Sequence, residues 1–193
     1  MKSFIRQLMP AFMVVLGLTV ILGVGYPLAV TAVGQVAFHH RVNGSIVEVD
    51  GVKVGSELIG QQFTAAKYFH PRPSAAGAGY DGTSSGASNL GPTNPDFLKS
   101  VADRVAAYRT ENGLSGDVAV PVDAVTASAS GLDPEISIAN ARMQATRVAT
   151  ARGLTVDQVL AAISANIEDR PLMVLGDPGV NVLRLNLALD RIA

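Results

Sequence analysis

The chain has 193 residues, a formal net charge of −1 and no cysteine. The missing cysteine excludes disulfides, thiolate catalysis and every Cys-containing zinc site, and the balanced, interspersed charges exclude the basic face that nucleic-acid binding requires. Neither observation fixes the compartment, because a domain of this size folds without disulfides on either side of a membrane.

Residues 7–38 contain no Lys, Arg, Asp or Glu. A helix crossing a hydrocarbon core of roughly 30 Å needs about 20 apolar residues. A short N-terminal tail over residues 1–10, a transmembrane helix over 11–33 and a domain over 34–193 are therefore expected. A cleaved signal sequence is the competing reading, with Lys2 and Arg6 ahead of the run and Val30-Thr31-Ala32 as a small-residue cut. Signal cores stop at about 7–15 apolar residues, which favours a retained span. Lys2 and Arg6 precede the span and Arg41 and Lys53 follow it. Arg6 lies nearer its end, so the N-terminus is expected in the cytoplasm and the domain outside. Gly17, Gly23, Gly25, Ala29 and Ala32 leave shallow places for another helix, and Pro27 predicts a kink.

Residues 45–49 and 52–59 are rich in Val and Ile and flank Asp50-Gly51, which predicts a β-hairpin. From 71 to 95 the chain is Gly, Ser, Ala, Asn and Pro without periodicity, a long loop of the kind that is usually functional or disordered. Asn94-Pro95 opens a helix with Leu98, Val101, Val105 and Tyr108 on its packing face, and Asn112-Gly113 stops it. Residues 117–122 predict a strand. Asp133-Pro134 predicts the start of a second helix, with Arg142, Arg147 and Arg152 in its later half and Gly153 at its end. Thr155 and Gln158 form a capping-box pattern for a third helix to about Asn166, with Val156, Val159, Leu160 and Ile163 as its apolar face. After a turn at Asp177-Pro178-Gly179, the alternation over 180–187 predicts a strand passing into a short final helix. With no βαβ repetition, the fold class is an α+β soluble domain anchored by one N-terminal transmembrane helix.

The chain carries no G-x-x-x-x-G-K-S/T, no G-x-G-x-x-G after a strand and no D-K-T-G, so it lacks the cradle and the aspartyl-phosphate motif of a nucleotide-driven engine. His39 and His40 are adjacent, do not share a face and have no carboxylate beside them, which argues for interfacial placement over a metal site. His70 lies close in sequence to Asp81, Ser84 and Ser85, from which a Ser-His-Asp hydrolase can be drawn. No G-x-S-x-G elbow supports it, and a His before Pro in a loop is more often structural.

Six segments in order, G-S-E-L-I-G-Q-Q-F (55–63), Y-F-H-P-R-P-S-A (68–75), S-N-L-G-P-T-N-P (88–95), V-T-A-S-A-S-G-L-D-P-E-I-S (125–137), R-V-A-x-A-R-G (147–153) and V-N-V-L-x-L-N-x-A-L-D (180–190), resemble the C subunit of the Kdp high-affinity potassium-transporting ATPase. Departures are small, with Ala87 and Gly179 standing where the family favours Gly and a larger residue. The resemblance implies a non-catalytic subunit of the cell (inner) membrane with no cofactor of its own. Its implied partners are a P-type ATP-hydrolysing subunit, a channel-like potassium-binding subunit and a small fourth subunit. It implies a role in assembly and as a catalytic chaperone that raises the ATP affinity of the hydrolysing subunit, with ATP in a transient complex. Gln144 is the implied nucleotide contact, an amide able to read a base edge. ATP is cytoplasmic, so an external domain can act on its binding only through coupling across the membrane. Gln144 then has a plainer reading as a packing residue. Two other hypotheses remain: a signal-anchored extracytoplasmic hydrolase using His70, and a cytoplasmic ATP-binding module using Gln144.

Overall fold

The computed structural model describes residues 2–192, and the chain divides after Ser45 into two compact units. The first is helical: α1 (Lys2–Val20), a π turn at Ile21–Gly25, α2 (Tyr26–Ala37) and the single turn α3 (His39–Val42). The stretch Arg6–Ala37 is 32 residues long and is the one helical run among the described residues that is long and apolar enough to cross a membrane. The irregularity expected at Pro27 takes the form of the π turn just before it. Tyr26 N–H reaches back to Ile21 O, and this wider loop relieves the ladder where Pro27, in the first turn of α2, has no donor to give. At the end of this unit His39 Nδ1 lies 3.0 Å from Gln35 Oε1, and Asn43 Nδ2 donates to His39 O at 2.7 Å.

The second unit mixes helix and strand. β1 (Ile46–Val49) and β2 (Val52–Ser56) pair antiparallel around Asp50 and Gly51, whose φ values of 51° and 77° are those of a type I′ turn. A long connection without helix or strand leads to α4 (Pro95–Glu111), where the Asn94 side chain accepts from the N–H groups of Asp96 and Phe97. α4 packs lightly: Tyr108 is its one buried residue, and Leu98 is exposed.

Three sequence expectations give way here. Residues 117–122 form no strand. The Val118 carbonyl is taken by Arg109, through Nε at 3.1 Å and Nη2 at 2.7 Å, and Pro121 lacks a ladder donor, so the segment turns directly into the short helix α5 (Val122–Val125). The second helix does not start at Pro134. Residues Glu135–Ser137 form the edge strand β3, and α6 (Ile138–Arg152) begins after Ser137, whose Oγ accepts from Asn140 N–H at 3.1 Å. The C-terminal alternation is mostly helical. β5 is only Gly179–Asn181, and Asn181 then caps α8 (Val182–Asp190), in which Val182, Leu185 and Leu189 share one buried face. A V-N-V-L-R-L-N-L pattern satisfies both periods, and the neighbouring helices select the helical one.

α7 (Val156–Ala165) carries both halves of the Thr155–Gln158 capping box. β4 (Ile167–Glu168) completes a three-stranded antiparallel sheet in the order β3-β5-β4. The core lies between this sheet and α6, α7 and α8: Ile136, Ala145, Val148, Val159, Ile163, Val180, Leu185 and Leu189, with Phe69 from the long connection fully buried among them.

Candidate functional site

Phe69 and His70 are not in a strand, yet all four of their backbone polar groups are held by side-chain amides. Asn186 Oδ1 accepts from Phe69 N–H at 2.7 Å while its Nδ2 donates to Phe69 O at 3.0 Å. Gln144 Oε1 accepts from His70 N–H at 2.8 Å while its Nε2 donates to His70 O at 3.0 Å. Two helices, α8 and α6, thus present amides that do for the segment what a neighbouring strand would do. Buried backbone demands such partners, since a buried polar group left unpaired costs about 1–3 kcal/mol.

Gln144 is 1% exposed and uses its amide completely. Besides the His70 backbone, Oε1 accepts from Arg147 Nη2 at 2.7 Å and Nε2 donates to Asn140 Oδ1 at 2.9 Å. Asn140 extends the network, donating through Nδ2 to Asp123 Oδ2 at 3.0 Å and accepting from the Tyr108 hydroxyl at 2.8 Å. Burial, and then the Asp123 charge, push the Tyr108 hydroxyl pKa well above the ordinary range. The cavity beside Gln144, lined also by His70, Arg104, Tyr108 and Asn140, has a volume of about 150 Å³. Ligand pockets run from roughly 300 Å³ upward, so a nucleoside does not fit there without rearrangement.

Two arginines of α6 tie down the chain just before Phe69. Arg147 Nη1 donates to Ala66 O at 2.6 Å and Tyr68 O at 3.0 Å, and its Nε to Asn112 Oδ1 at 3.0 Å. Arg152 Nε donates to Lys67 O at 2.7 Å, with Asp190 Oδ1 2.9 Å from Nη2 and the Tyr68 ring 5.3 Å from the guanidinium carbon. Arg147 and Arg152 are thus straps, whereas Arg142 is exposed.

His70 places Nδ1 2.7 Å from Glu111 Oε1 and Nε2 3.2 Å from Ala65 O. Burial, and secondarily Arg147, lower its pKa below the ordinary histidine value, with Glu111 pulling the other way. This overturns the hydrolase reading. Asp81 accepts from Thr83 N–H and Oγ1, Ser85 donates to Ser130 O, and among the described residues no hydrogen bond joins His70 to Asp81, Ser84 or Ser85. The His70 nitrogens face a carboxylate and a carbonyl, so neither is placed to take a proton from a serine.

The small-residue loop is stitched to the segment 128–133. Ser74 Oγ donates to Gly131 O at 2.6 Å, Gly86 N–H to Ser130 O at 2.9 Å, Gly60 N–H to Leu132 O at 2.7 Å, and Arg72 pairs with Asp133 at 2.7 Å. Gly131 is required there: its φ is +67°, and a Cβ would lie 2.6 Å from Ala76 N and 2.7 Å from Gly86 O. Tyr80 closes the turn, its hydroxyl donating to Arg72 O at 2.7 Å and pushed up to about 12 by burial.

Sequence reasoning singled out Gln144 and His70 but not Asn186, Asn140, Asp123 or Glu111. A signal for two of them was present. Asn140 and Gln144 stand four apart on one helix face, and Asn186 interrupts the apolar face of α8.

A family model described as KdpC, K+-transporting ATPase, c chain, matches residues 8–191. A Mycobacterium tuberculosis protein named potassium-transporting ATPase KdpC subunit is 59% identical over 187 residues, covering 97% of this chain and 99% of that one. Proteins of the same name from Rhodospirillum rubrum and Caulobacter vibrioides are 52% and 53% identical, covering 96% of this chain and 96% and 93% of their own. The matched span includes residues 60–86 and 128–133 and the residues that clamp Phe69 and His70, and the chain belongs to KdpC, the c chain of the K+-transporting ATPase.

Proposed function

We propose that the chain is a non-catalytic subunit of a P-type potassium-transporting ATPase, anchored in the cell membrane by its single apolar helix, with residues 11–33 in the hydrocarbon. Its α+β domain lies on the extracytoplasmic side and the N-terminus in the cytoplasm. It assists assembly with the ATP-hydrolysing, potassium-binding and small fourth subunits, and it raises the ATP affinity of the hydrolysing subunit by favouring a pump conformation that binds nucleotide better. The observation that carries the coupled mode is the complete internal use of the Gln144 amide. An amide already committed to the His70 backbone, Asn140 and Arg147 acts as a positioning residue for the strap, and reading a base would require it to abandon those bonds.

Two measurements test this together: a compartment-sensitive reporter after the last residue, and ATP affinity of the purified complex with and without this subunit. An extracytoplasmic reporter with weakened ATP affinity in the subunit's absence supports coupling. A cytoplasmic reporter with azido-ATP labelling near Gln144 overturns it in favour of direct contact, and normal assembly and transport without the chain overturns the subunit role itself.

A further inference from the structure

After β4 the chain makes a short excursion closed at its base by Arg170, which donates to Asp177 at 2.8 Å. From it project Leu172, Met173, Val174 and Leu175, which are 81%, 87%, 74% and 54% exposed. Leu172 and Met173 also sit at positive φ, 54° and 64°. That region is disfavoured for any residue with a Cβ. Four consecutive apolar side chains in solvent, two of them on strained backbone, contribute nothing to the core of this unit. Contiguous exposed apolar groups mark contact sites, and retained strain marks a shape needed for something else.

The surrounding charge identifies what covers the tip. Glu135, Glu168, Asp169 and Asp177 line, with Leu175, a cavity of about 390 Å³. Glu168 is paired with Arg184 and Asp177 with Arg170, but Asp169 has no ion pair or hydrogen bond among the described residues. Burial, followed by the charges of Glu168 and Asp133, raises the Glu135 pKa, with Arg184 pulling the other way. The excursion contains no aromatic residue, and its one basic residue, Arg170, is paired with Asp177. An aromatic or a free basic side chain is what holds a loop at a lipid headgroup layer, and an acidic surround is repelled by anionic lipid.

We infer that the tip at residues 172–175 docks into an apolar socket on another protein subunit of the pump, whose rim places a Lys or Arg in the acidic cavity beside Asp169. This rests on the reading of the chain as a pump subunit. Apolar contact supplies the affinity, and the buried charge pair sets the register.

The test is photo-crosslinking from benzoylphenylalanine placed at Met173 of the full-length chain in the membrane-extracted complex, with the exposed Asp157 position as comparison. An adduct to another pump subunit from position 173 and none from 157 is expected. Asp169→Lys should lower that yield by about tenfold, the loss of one interfacial charge pair. Adducts to lipid alone or to a second copy of this chain overturn the inference, as does the absence of any protein adduct while the unmodified chain still co-purifies with the pump. Failure of the unmodified chain to co-purify overturns the subunit reading, and this inference with it.

Discussion

Asn186 grips Phe69 with both ends of its amide, at 2.7 Å to the N–H and 3.0 Å from the carbonyl, and so seats an aromatic ring from an irregular segment in the centre of the helical core. The same segment is gripped one residue later by Gln144. The domain's stability is thereby coupled to the conformation of a strand-like segment that makes no strand.

Asn186→Ala strips two buried backbone groups of their partners at once. At about 1–3 kcal/mol for each group, the second unit should lose roughly 2–6 kcal/mol. Chemical denaturation of the full-length chain in detergent measures it, and a loss under about 1 kcal/mol would mean that water replaces the amide.

Gln144→Leu keeps the side-chain volume and removes the clamp on His70. Amide exchange at His70 should quicken, and the ATP affinity of the assembled complex should change only as far as the subunit is lost from it. A Gln144→Leu complex with full subunit occupancy but sharply weaker ATP binding would indicate a direct role for the amide instead.

The pH dependence of stability follows from His70. Burial, then Arg147, depress its pKa in the folded chain below the ordinary 6.5, so the folded state binds that proton more weakly than the unfolded chain. The contribution is fully present above pH 6.5 and is lost as the pH falls through the depressed folded value. Denaturation midpoints should therefore decline as the pH falls from 6.5 to the depressed folded value, and His70→Gln should flatten the decline. An unchanged slope in the variant would assign it to other groups.

Gly131→Ala forces a Cβ to 2.6 Å from Ala76 N and 2.7 Å from Gly86 O on a backbone at φ +67°. The left-handed conformation alone costs about 1–2 kcal/mol, and the two backbone contacts add to it. The denaturation midpoint should fall by more than that of an alanine placed at Gly113, which also has positive φ but has open space around it.

Much of the architecture was legible in local pattern. The hairpin turn at Asp50-Gly51, the Asn94 cap, the Thr155–Gln158 capping box and the long apolar run are all set by residues within a few positions of one another. Pattern failed at 182–187, because short apolar alternation fits strand and helix equally, and at 117–122 and 134–137, where partners distant in sequence decide. Pairing with β5 decided β3, Arg109 withheld the Val118 carbonyl from any ladder, and packing on α7 selected helix for α8.

The candidate site divides in the same way. The kinship of the chain, its apolar helix and the residues worth watching, Gln144 and His70, could be read from the sequence, because motifs and hydrophobic length are properties of contiguous residues. What those residues do was decided by partners 117 positions away for Asn186 and 74 for Gln144. Hydrogen bonds form over about 3 Å in space whatever the separation along the chain, so only the folded arrangement shows whether an amide is free to meet a ligand or already in use.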